Sequence, residues 1–225
     1  MTGTIRCKSG DVVSLQVLGF NGPYMAEIAQ SIERLGLAYS VLSTNEHFGA
    51  SSFSWPTPVS LDNPIMLAPS YPQERLALAS LLAEYRVVEL VSVIDPSAVV
   101  ATNSIIGHGS HINSLVSIGA NSVLGCSVFI NRAGTVGHDS RIGNFVSTGP
   151  GVVISGQVAI GGGSFIGAGA VIKDGISIGN HAHIGAGSVV VDDVPDYSLV
   201  FGNPAEHQRE NKVDMHNTVC PWCGS

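Results

Sequence analysis

An aliphatic side chain recurs at every sixth position from Val100 to Val190. Thr148 is the exception among these sixteen positions, and glycine follows ten of them. An α-helix repeats every 3.6 residues and a strand every 2, so neither produces this spacing, whereas a chain wound around a prism with short straight sides does. The pattern predicts a solenoid of roughly five turns, with three six-residue sides and therefore eighteen residues in each turn. Glycine fits a corner that needs unusual backbone angles or close approach of a neighbouring backbone.

The first 94 residues follow a different pattern, in which short apolar runs alternate with segments of helical period. The predicted strands cover residues 12–20, 39–43, 64–68 and 87–94; one helix follows the turn at 19–23 and stops at Gly36, and a second covers 71–86. This alternation predicts a small parallel sheet, and such sheets bind ligands at the carboxyl ends of their strands. A nucleotide pocket near Asn21 and Gly22 is one interpretation, and a packing turn without a ligand explains the same glycines equally well.

Composition narrows the class of protein. Charged residues make up 12% of the chain and apolar residues 44%, as in a well-packed globular protein. The net charge of −7, without a basic stripe, argues against nucleic acid as a partner. The chain has no apolar run of about 20 residues, and its first ten residues lack the apolar region of a secretion signal, so we expect no membrane association and a cytoplasmic location. Four cysteines without a repeated spacing fit a reducing compartment.

Five short motifs in the second half of the chain carry a family resemblance. They are Asn131, Gly137-His138-Asp139, the IGNF segment at 142–145, Ser155-Gly156 and the GNPA segment at 202–205. Together with the N-terminal domain, they resemble the sugar O- and N-acyltransferases of the sialic acid O-acetyltransferase and bacillosamine-type nucleotide-amino-sugar N-acetyltransferase family. The resemblance extends over almost the whole chain up to about Ala205.

The resemblance implies a two-part organisation. We expect an α/β, Rossmann-like nucleotide-sugar-binding domain over residues 1–94, a left-handed parallel β-helix (a hexapeptide-repeat solenoid) over 95–202, and a C-terminal tail over 203–225. The family further implies acetyl-CoA as the acyl donor, a homotrimer, and active sites in the clefts between neighbouring subunits.

The resemblance also implies the catalytic residues. It assigns the base to His138, its acidic neighbour to Asp139, and a backbone N–H that polarises the acetyl carbonyl to Gly156. An amine or hydroxyl must lose a proton as it attacks a thioester, and an imidazole can accept that proton at neutral pH. Eighteen residues separate His138 from Gly156, so both are predicted on one corner of successive turns. From the residues alone, a solvated corner histidine and a glycine that lets the corner bend remain the alternatives.

Two groups of ligand contacts follow from the resemblance. Backbone contacts with the CoA pantetheine arm are implied at Ala168 and Ala186, which are eighteen residues apart on another corner, although small residues are common at such corners. Ser147 stands where the family often has a second histidine that helps to hold acetyl-CoA or the substrate. The implied nucleotide-sugar contacts are Asn21, Gly22 and Pro23 in the first turn, Ser43 and Thr44 after the second strand, Ser70 after the third strand, and Asn131 in the solenoid.

The tail carries His216, Cys220 and Cys223, which are three potential zinc ligands. A tetrahedral zinc site needs four ligands, and the chain has no second CxxC motif. We therefore expect a mobile tail with reduced thiols and no metal site.

The sequence favours one function over three alternatives. We expect acetyl transfer from acetyl-CoA to the amino group of a nucleotide-linked amino sugar, of the 4-amino-4,6-dideoxy type, in bacterial surface glycan synthesis. O-acetylation of a sugar or sialic acid is the alternative within the class, and a non-catalytic hexapeptide scaffold is the alternative outside it. A γ-carbonic-anhydrase-like metal site is disfavoured because the histidine spacings do not match that family; the histidines considered are His108, His111, His181 and His183.

Overall fold

The computed structural model describes two connected parts of the chain, a small parallel sheet with two helices and a β-solenoid of about six turns. The described residues are 5–6, 15–20, 23–44, 64–68, 71–84, 90–212 and 218–224. Among them, no helix combines the length and the apolar character that crossing a bilayer would require.

The N-terminal part contains a three-stranded parallel sheet of order β3-β2-β4. Its elements are β1 (Ile5–Arg6), β2 (Leu15–Phe20), α1 (Pro23–Arg34), β3 (Tyr39–Thr44), β4 (Ile65–Leu67) and α2 (Pro72–Glu84). The end of the predicted fourth strand, β5 (Ser92–Ile94), instead pairs in parallel with β8 (His111–Ile112) and antiparallel with β1. Because Val93 lies opposite His111, eighteen residues later, β5 already belongs to the winding of the solenoid.

The solenoid has three faces, each a parallel sheet of short strands. The first face comprises β5, β8, β11 (Phe129–Ile130), β14 (Ser147–Thr148), β17 (Phe165–Ile166), β20 (His183–Ile184) and β22 (Ser198–Gly202). The second comprises β6 (Val99–Val100), β9 (Ser117–Ile118), β12 (Thr135–Val136), β15 (Val153–Ile154), β18 (Val171–Ile172) and β21 (Val189–Val190). The third comprises β7 (Ile105–Ile106), β10 (Val123–Leu124), β13 (Arg141–Ile142), β16 (Ala159–Ile160) and β19 (Ser177–Ile178). The last strand, β23 (Ala205–Glu210), pairs antiparallel with β22.

The predicted eighteen-residue turn is confirmed. Val123 pairs with Arg141, and Arg141 pairs with Ala159, one turn further on. The aliphatic residue of each six-residue repeat points inward, and these side chains form one continuous core along the axis. Each buried isoleucine or valine of this stack contributes roughly 1.5–3 kcal/mol of transfer free energy.

Close approach between turns explains the corner glycines. A methyl group on Gly137 would lie 2.4 Å from the backbone nitrogen of Gly156 in the next turn. The left-handed backbone angles occur two residues later, for example at Asp139 (φ 57°) and Gln157 (φ 59°). Where glycine follows the aliphatic position, it therefore makes room for the next turn, and the residue two places further on takes the unusual conformation.

A buried arginine on α2 joins the N-terminal part to the first face of the solenoid. Arg75 on α2 is 1% exposed. It donates hydrogen bonds to the carbonyl oxygens of Ser127, Phe145 and Val146 at 3.0, 3.0 and 3.2 Å, and to Oγ of Ser147 at 2.8 Å. Burial lowers the pKa of its guanidinium to about 9, so the group remains charged at neutral pH.

Helix α1 contributes a second, polar part of the same interface. Glu27 accepts a hydrogen bond from Nδ2 of Asn113 at 3.0 Å and forms an ion pair with Arg132. Arg34 forms an ion pair of 2.6 Å with the buried carboxylate of Asp95. These contacts fix the first face beneath the N-terminal domain and leave the other two faces of the described chain uncovered.

A buried histidine makes this interface sensitive to acid. His111 on β8 is 0% exposed, and its Nε2 lies 3.3 Å from Oγ of Ser31 on α1. Burial lowers its pKa from 6.5 to about 3; Asp95 opposes this shift, and Arg75 and Arg34 add to it. The unfolded chain therefore binds a proton between pH 6.5 and about 3 that the native state does not bind.

We expect the free energy of unfolding to fall as the pH drops through this window, by up to about 1.4 kcal/mol per pH unit from this group. Urea unfolding across the window measures the slope. His111→Gln removes the titrating group and should flatten the curve, whereas His207→Gln, on an exposed position, should leave it unchanged. Parallel curves for the wild type and His111→Gln would contradict the assignment.

Candidate active site

His138 and Asp139 form a hydrogen-bonded pair on the corner between the second and third faces. We call this edge, residues 119–121, 137–139, 155–157 and 173–175, the His138 corner. Nδ1 of His138 lies 2.7 Å from Oδ2 of Asp139, and the two side chains are 63% and 46% exposed. Since an ionised carboxylate only accepts hydrogen bonds, Nδ1 carries the proton and Nε2 presents its lone pair.

The carboxylate of Asp139 is held by the preceding turn. Nδ2 of Asn121 donates to Oδ1 of Asp139 at 3.0 Å, and Nδ2 of Asn103, one turn earlier, donates to Oδ1 of Asn121 at 2.6 Å. The hydrogen bond from His138, followed by the one from Asn121, lowers the pKa of the Asp139 carboxyl. Asp139 therefore stays ionised at neutral pH and keeps the imidazole in one orientation.

Gly156 lies directly beneath the imidazole, as the eighteen-residue spacing predicts. A methyl group on Gly156 would lie 2.7 Å from Nε2 of His138. The amide N–H of Gly156 meets no acceptor in the described part of the chain, whereas the corresponding N–H groups of Cys126 and Gly162 on another corner donate to asparagine side chains at 2.8 and 2.9 Å. A proton acceptor and an unused backbone donor thus lie side by side.

The surface on both sides of the His138 corner is partly apolar. Val99 and Val153 on the second face are 61% and 41% exposed, and Ile105 on the third face is 60% exposed. Val99 and Ile105 flank this edge at the start of the solenoid, and Val153 lies three turns further along the second face.

The two alanines lie together on a different edge, as expected. We call the corner between the first and second faces the Ala168 corner. Ala168 and Ala186 are exposed on successive turns, and a methyl group on Gly167 would lie 2.5 Å from the backbone nitrogen of Ala186. The two segments of this corner that carry them, 167–169 and 185–187, consist of glycine and alanine alone.

The structure places Ser147 beneath α2. Its side chain is 0% exposed, and its Oγ accepts a hydrogen bond from Arg75 beneath α2. In the described chain this hydroxyl is buried between the N-terminal part and the solenoid, and its contact with acetyl-CoA or the substrate stays a prediction. Asn131 is 2% exposed, and its Oδ1 accepts hydrogen bonds from Nδ2 of Asn113 and from the Arg132 amide. It lies under α1, so the described chain alone does not present it to a ligand.

Three of the seven expected nucleotide-sugar contacts fall outside the part of the chain that the structure describes. Asn21, Gly22 and Ser70 lie outside the described residues. Pro23 is the first residue of α1, and Ser43 and Thr44 end β3, so their backbones lie at the carboxyl edge of the parallel sheet. The edge has the expected topology, and the ligand contacts stay a prediction.

The tail is packed against the solenoid. Cys220 and Cys223 lie beside His108 and Cys126, on the corner between the third and first faces; His216 lies outside the described residues. The hydrogen bond with Cys126, followed by that with His108, lowers the pKa of the Cys220 thiol to about 3 against the effect of burial. Sequence reasoning found the two tail cysteines and missed both solenoid partners, although the eighteen-residue spacing of His108 and Cys126 marks them as neighbours.

Three solved structures are similar to this chain over most of its length. The acetyltransferase domain of PglB from Neisseria gonorrhoeae FA1090 is 30% identical, with 87% of this chain and 100% of that domain covered and a TM-score of 0.79. The same domain in complex with acetyl coenzyme A is 30% identical, with 88% and 100% covered and a TM-score of 0.78. A histidine-to-asparagine mutant of perosamine N-acetyltransferase from Caulobacter crescentus, in complex with CoA and GDP-perosamine, is 27% identical, with 87% and 97% covered and a TM-score of 0.75.

The repeats themselves match a family model. Residues 139–174 and 157–192 match the bacterial transferase hexapeptide model of six repeats. No curated protein sequence matches the chain. The matched repeats, the confirmed solenoid and the similarity to the complete PglB domain together show that this chain belongs to the bacterial hexapeptide-repeat transferases.

Proposed function

We propose that this protein is an acetyl-CoA-dependent N-acetyltransferase that acts on the amino group of a nucleotide-linked amino sugar. The arrangement that carries the proposal is Nε2 of His138, oriented by Asp139, above the amide of Gly156. Similar structures contain acetyl coenzyme A in one case and CoA with GDP-perosamine in another, which supports the donor and the class of acceptor.

In the proposed reaction, the sugar amine attacks the thioester carbonyl carbon and forms a C–N bond. Nε2 of His138 accepts the proton that the amine loses, and Asp139 stabilises the resulting imidazolium. The N–H of Gly156 donates to the oxyanion that develops on the carbonyl. When the C–S bond breaks, the imidazolium returns the proton to the departing CoA thiolate, so the histidine ends in its starting state.

The position of the two corners supports a homotrimer with active sites between subunits. Consecutive corners are six residues apart along the chain, a span of at most about 20 Å. A pantetheine arm on the Ala168 corner of one subunit is therefore separated from that subunit's His138 by the width of the second face. A neighbour that places its Ala168 corner against the His138 corner would bring thioester and base together and would cover Val99, Ile105 and Val153.

The N-terminal domain is the proposed site for the nucleotide part of the acceptor. The carboxyl edge of its parallel sheet, with the start of α1, offers the backbone N–H groups that suit a diphosphate. The specific sugar, of the 4-amino-4,6-dideoxy type, and the cytoplasmic location expected from the sequence remain predictions.

The test combines purified protein, acetyl-CoA and a panel of nucleotide-linked amino sugars, with thiol release and product mass as readouts. We expect thiol release only with an acceptor that carries a free amine, an N-acetylated product, and sedimentation as a trimer. A product acetylated on oxygen would replace the N-acetyl proposal with O-acetylation. No binding of acetyl-CoA at all would indicate a non-catalytic scaffold.

A further inference from the structure

Four metal-ligating side chains from distant parts of the chain converge on one corner of the solenoid. His108 and Cys126 occupy equivalent positions on successive turns, and Cys220 and Cys223 belong to the tail. We call these residues the four-ligand cluster. Among the described residues, it is the one place where three or more histidine, cysteine or acidic side chains meet closely enough to hold a metal.

The distances in the four-ligand cluster are close to those of tetrahedral coordination. Sγ of Cys126 lies 3.5 Å from Sγ of Cys223, and Sγ of Cys220 lies 3.2 Å from Nε2 of His108. All four ligand atoms lie within 4.8 Å of one another. Bonds of about 2.3 Å to sulfur and about 2.0 Å to nitrogen at tetrahedral angles place ligand atoms roughly 3.5–3.8 Å apart. The two contacts are slightly shorter than these separations, so small shifts of the side chains would admit one ion.

The tail has the local geometry of a metal-binding knuckle. The amide N–H groups of Trp222 and Cys223 are hydrogen-bonded to Sγ of Cys220. Gly224 adopts a φ of +66°, and its N–H donates to the carbonyl oxygen of Cys220 at 3.0 Å. Backbone donors aimed at a cysteine sulfur stabilise a thiolate that binds a metal, and they fix the direction of its lone pairs.

The protein around the four-ligand cluster is shaped to receive the tail. Asn144, one turn beyond Cys126, accepts the Cys126 amide through Oδ1 at 2.8 Å and donates through Nδ2 to the Thr218 carbonyl at 3.1 Å. A methyl group on Gly162 would lie 2.5 Å from Oγ1 of Thr218, so the absent side chain at this position leaves the groove in which the tail lies.

We propose that this chain binds one zinc ion through His108, Cys126, Cys220 and Cys223 in a closed, structural Cys3His site. Three thiolates and one imidazole form a donor set that selects zinc, and four protein ligands leave no open position for a substrate. The proposal adds a metal to a protein for which the sequence alone predicts none, and it does not depend on the proposed acetyl transfer.

The site would fasten three parts of the chain together. His108 and Cys126 belong to the solenoid, and Cys220 and Cys223 to the tail. The ring of Trp222, between the two tail cysteines, lies edge-on to His108 and packs against a cluster that joins the N-terminal domain to the solenoid. That cluster contains Leu18, Leu67, Leu78 and Leu82 from the N-terminal domain and Phe145 from the solenoid. Loss of the ion should therefore loosen both the tail and this interface.

Metal content is the primary test. Protein purified with a reductant and without a chelator should contain about one zinc ion per chain by plasma mass spectrometry. Cys223→Ser changes an exposed ligand and should fold while losing most of the zinc; Cys126→Ser and His108→Asn test the solenoid half. His207→Asn is the matched control for His108→Asn and should keep the metal, because His207 is exposed on β23 and does not belong to the four-ligand cluster.

A second measurement keeps the test valid where a variant fails to fold. Zinc is removed from the wild-type protein by a chelator, and cobalt(II) is added to the metal-free chain. We expect the visible d–d bands and near-ultraviolet thiolate charge-transfer band of tetrahedral cobalt. We also expect the melting temperature to fall by at least about 5 °C on zinc removal and to recover on zinc addition.

Three outcomes would overturn the proposal. The first is a wild-type protein that contains no zinc and shows no cobalt bands. The second is equal zinc content in the wild type and Cys223→Ser. The third is a disulfide between Cys126 and Cys223 that persists in the presence of reductant. If the protein binds no zinc, the acetyltransferase assay remains a valid test of the proposed function, because the His138 corner lies on a different edge of the solenoid.

Discussion

Replacement of His138 by alanine should lower kcat by about 10²–10⁴-fold, the range that a positioned general base contributes. The attacking amine would lose its proton acceptor, while the solenoid corner, where the side chain is 63% exposed, would keep its backbone. The KM for acetyl-CoA should change little, since the pantetheine contacts proposed at Ala168 and Ala186 are untouched. Steady-state kinetics with varied acetyl-CoA separates the two parameters.

His207→Ala is the matched control, because it removes another exposed histidine and should leave kcat unchanged. Gly156→Ala provides a second variant at the site. Its methyl group would lie 2.7 Å from Nε2 of His138 and would therefore push the imidazole aside, although the base itself remains present. Near-normal turnover in His138→Ala, with acetyl transfer otherwise established, would show that another group accepts the proton.

Replacement of Arg75 by methionine should lower the free energy of unfolding by about 3 kcal/mol or more. Methionine fills much of the same volume, but the carbonyl oxygens of Ser127 and Phe145 would lose their guanidinium donor, and that of Val146 would keep only the amide of Phe129. A buried polar group without a partner costs about 1–3 kcal/mol, and these acceptors belong to the backbone, so no side-chain change removes them. Urea unfolding followed by circular dichroism measures the difference.

Arg209→Met is the control, because Arg209 is exposed on β23 and should contribute within about 0.5 kcal/mol. Hydrogen exchange locates the effect: the amides of Phe145 and Ser147 should lose protection in Arg75→Met, while those on the second and third faces should not. Equal stability of Arg75→Met and Arg209→Met would mean that the guanidinium adds nothing to the docking of the N-terminal domain.

The repeat alone was enough to predict the solenoid and to place His138 and Gly156 on one corner. Contacts between turns join residues eighteen apart, and identical short sides can stack only in that register, so the pairing of His138 with Gly156 follows from counting. The hydrogen bond between His138 and Asp139 is equally local. The sequence also indicates where neighbouring groups come close, because a glycine at position 137 or 156 leaves room for the next turn or for the imidazole.

Contacts between parts of the chain that do not share the repeat were decided by the tertiary structure. No spacing in the sequence shows that Ser147 is buried, because its partner Arg75 on α2 lies seventy-two residues away in sequence. The four-ligand cluster joins residues 97 and 112 apart, Cys126 with Cys223 and His108 with Cys220. Periodicity fixes which residues share a corner of the solenoid, but the face and corner on which a helix or the tail packs depend on shape and apolar area summed over the folded surface, and no local spacing encodes that sum.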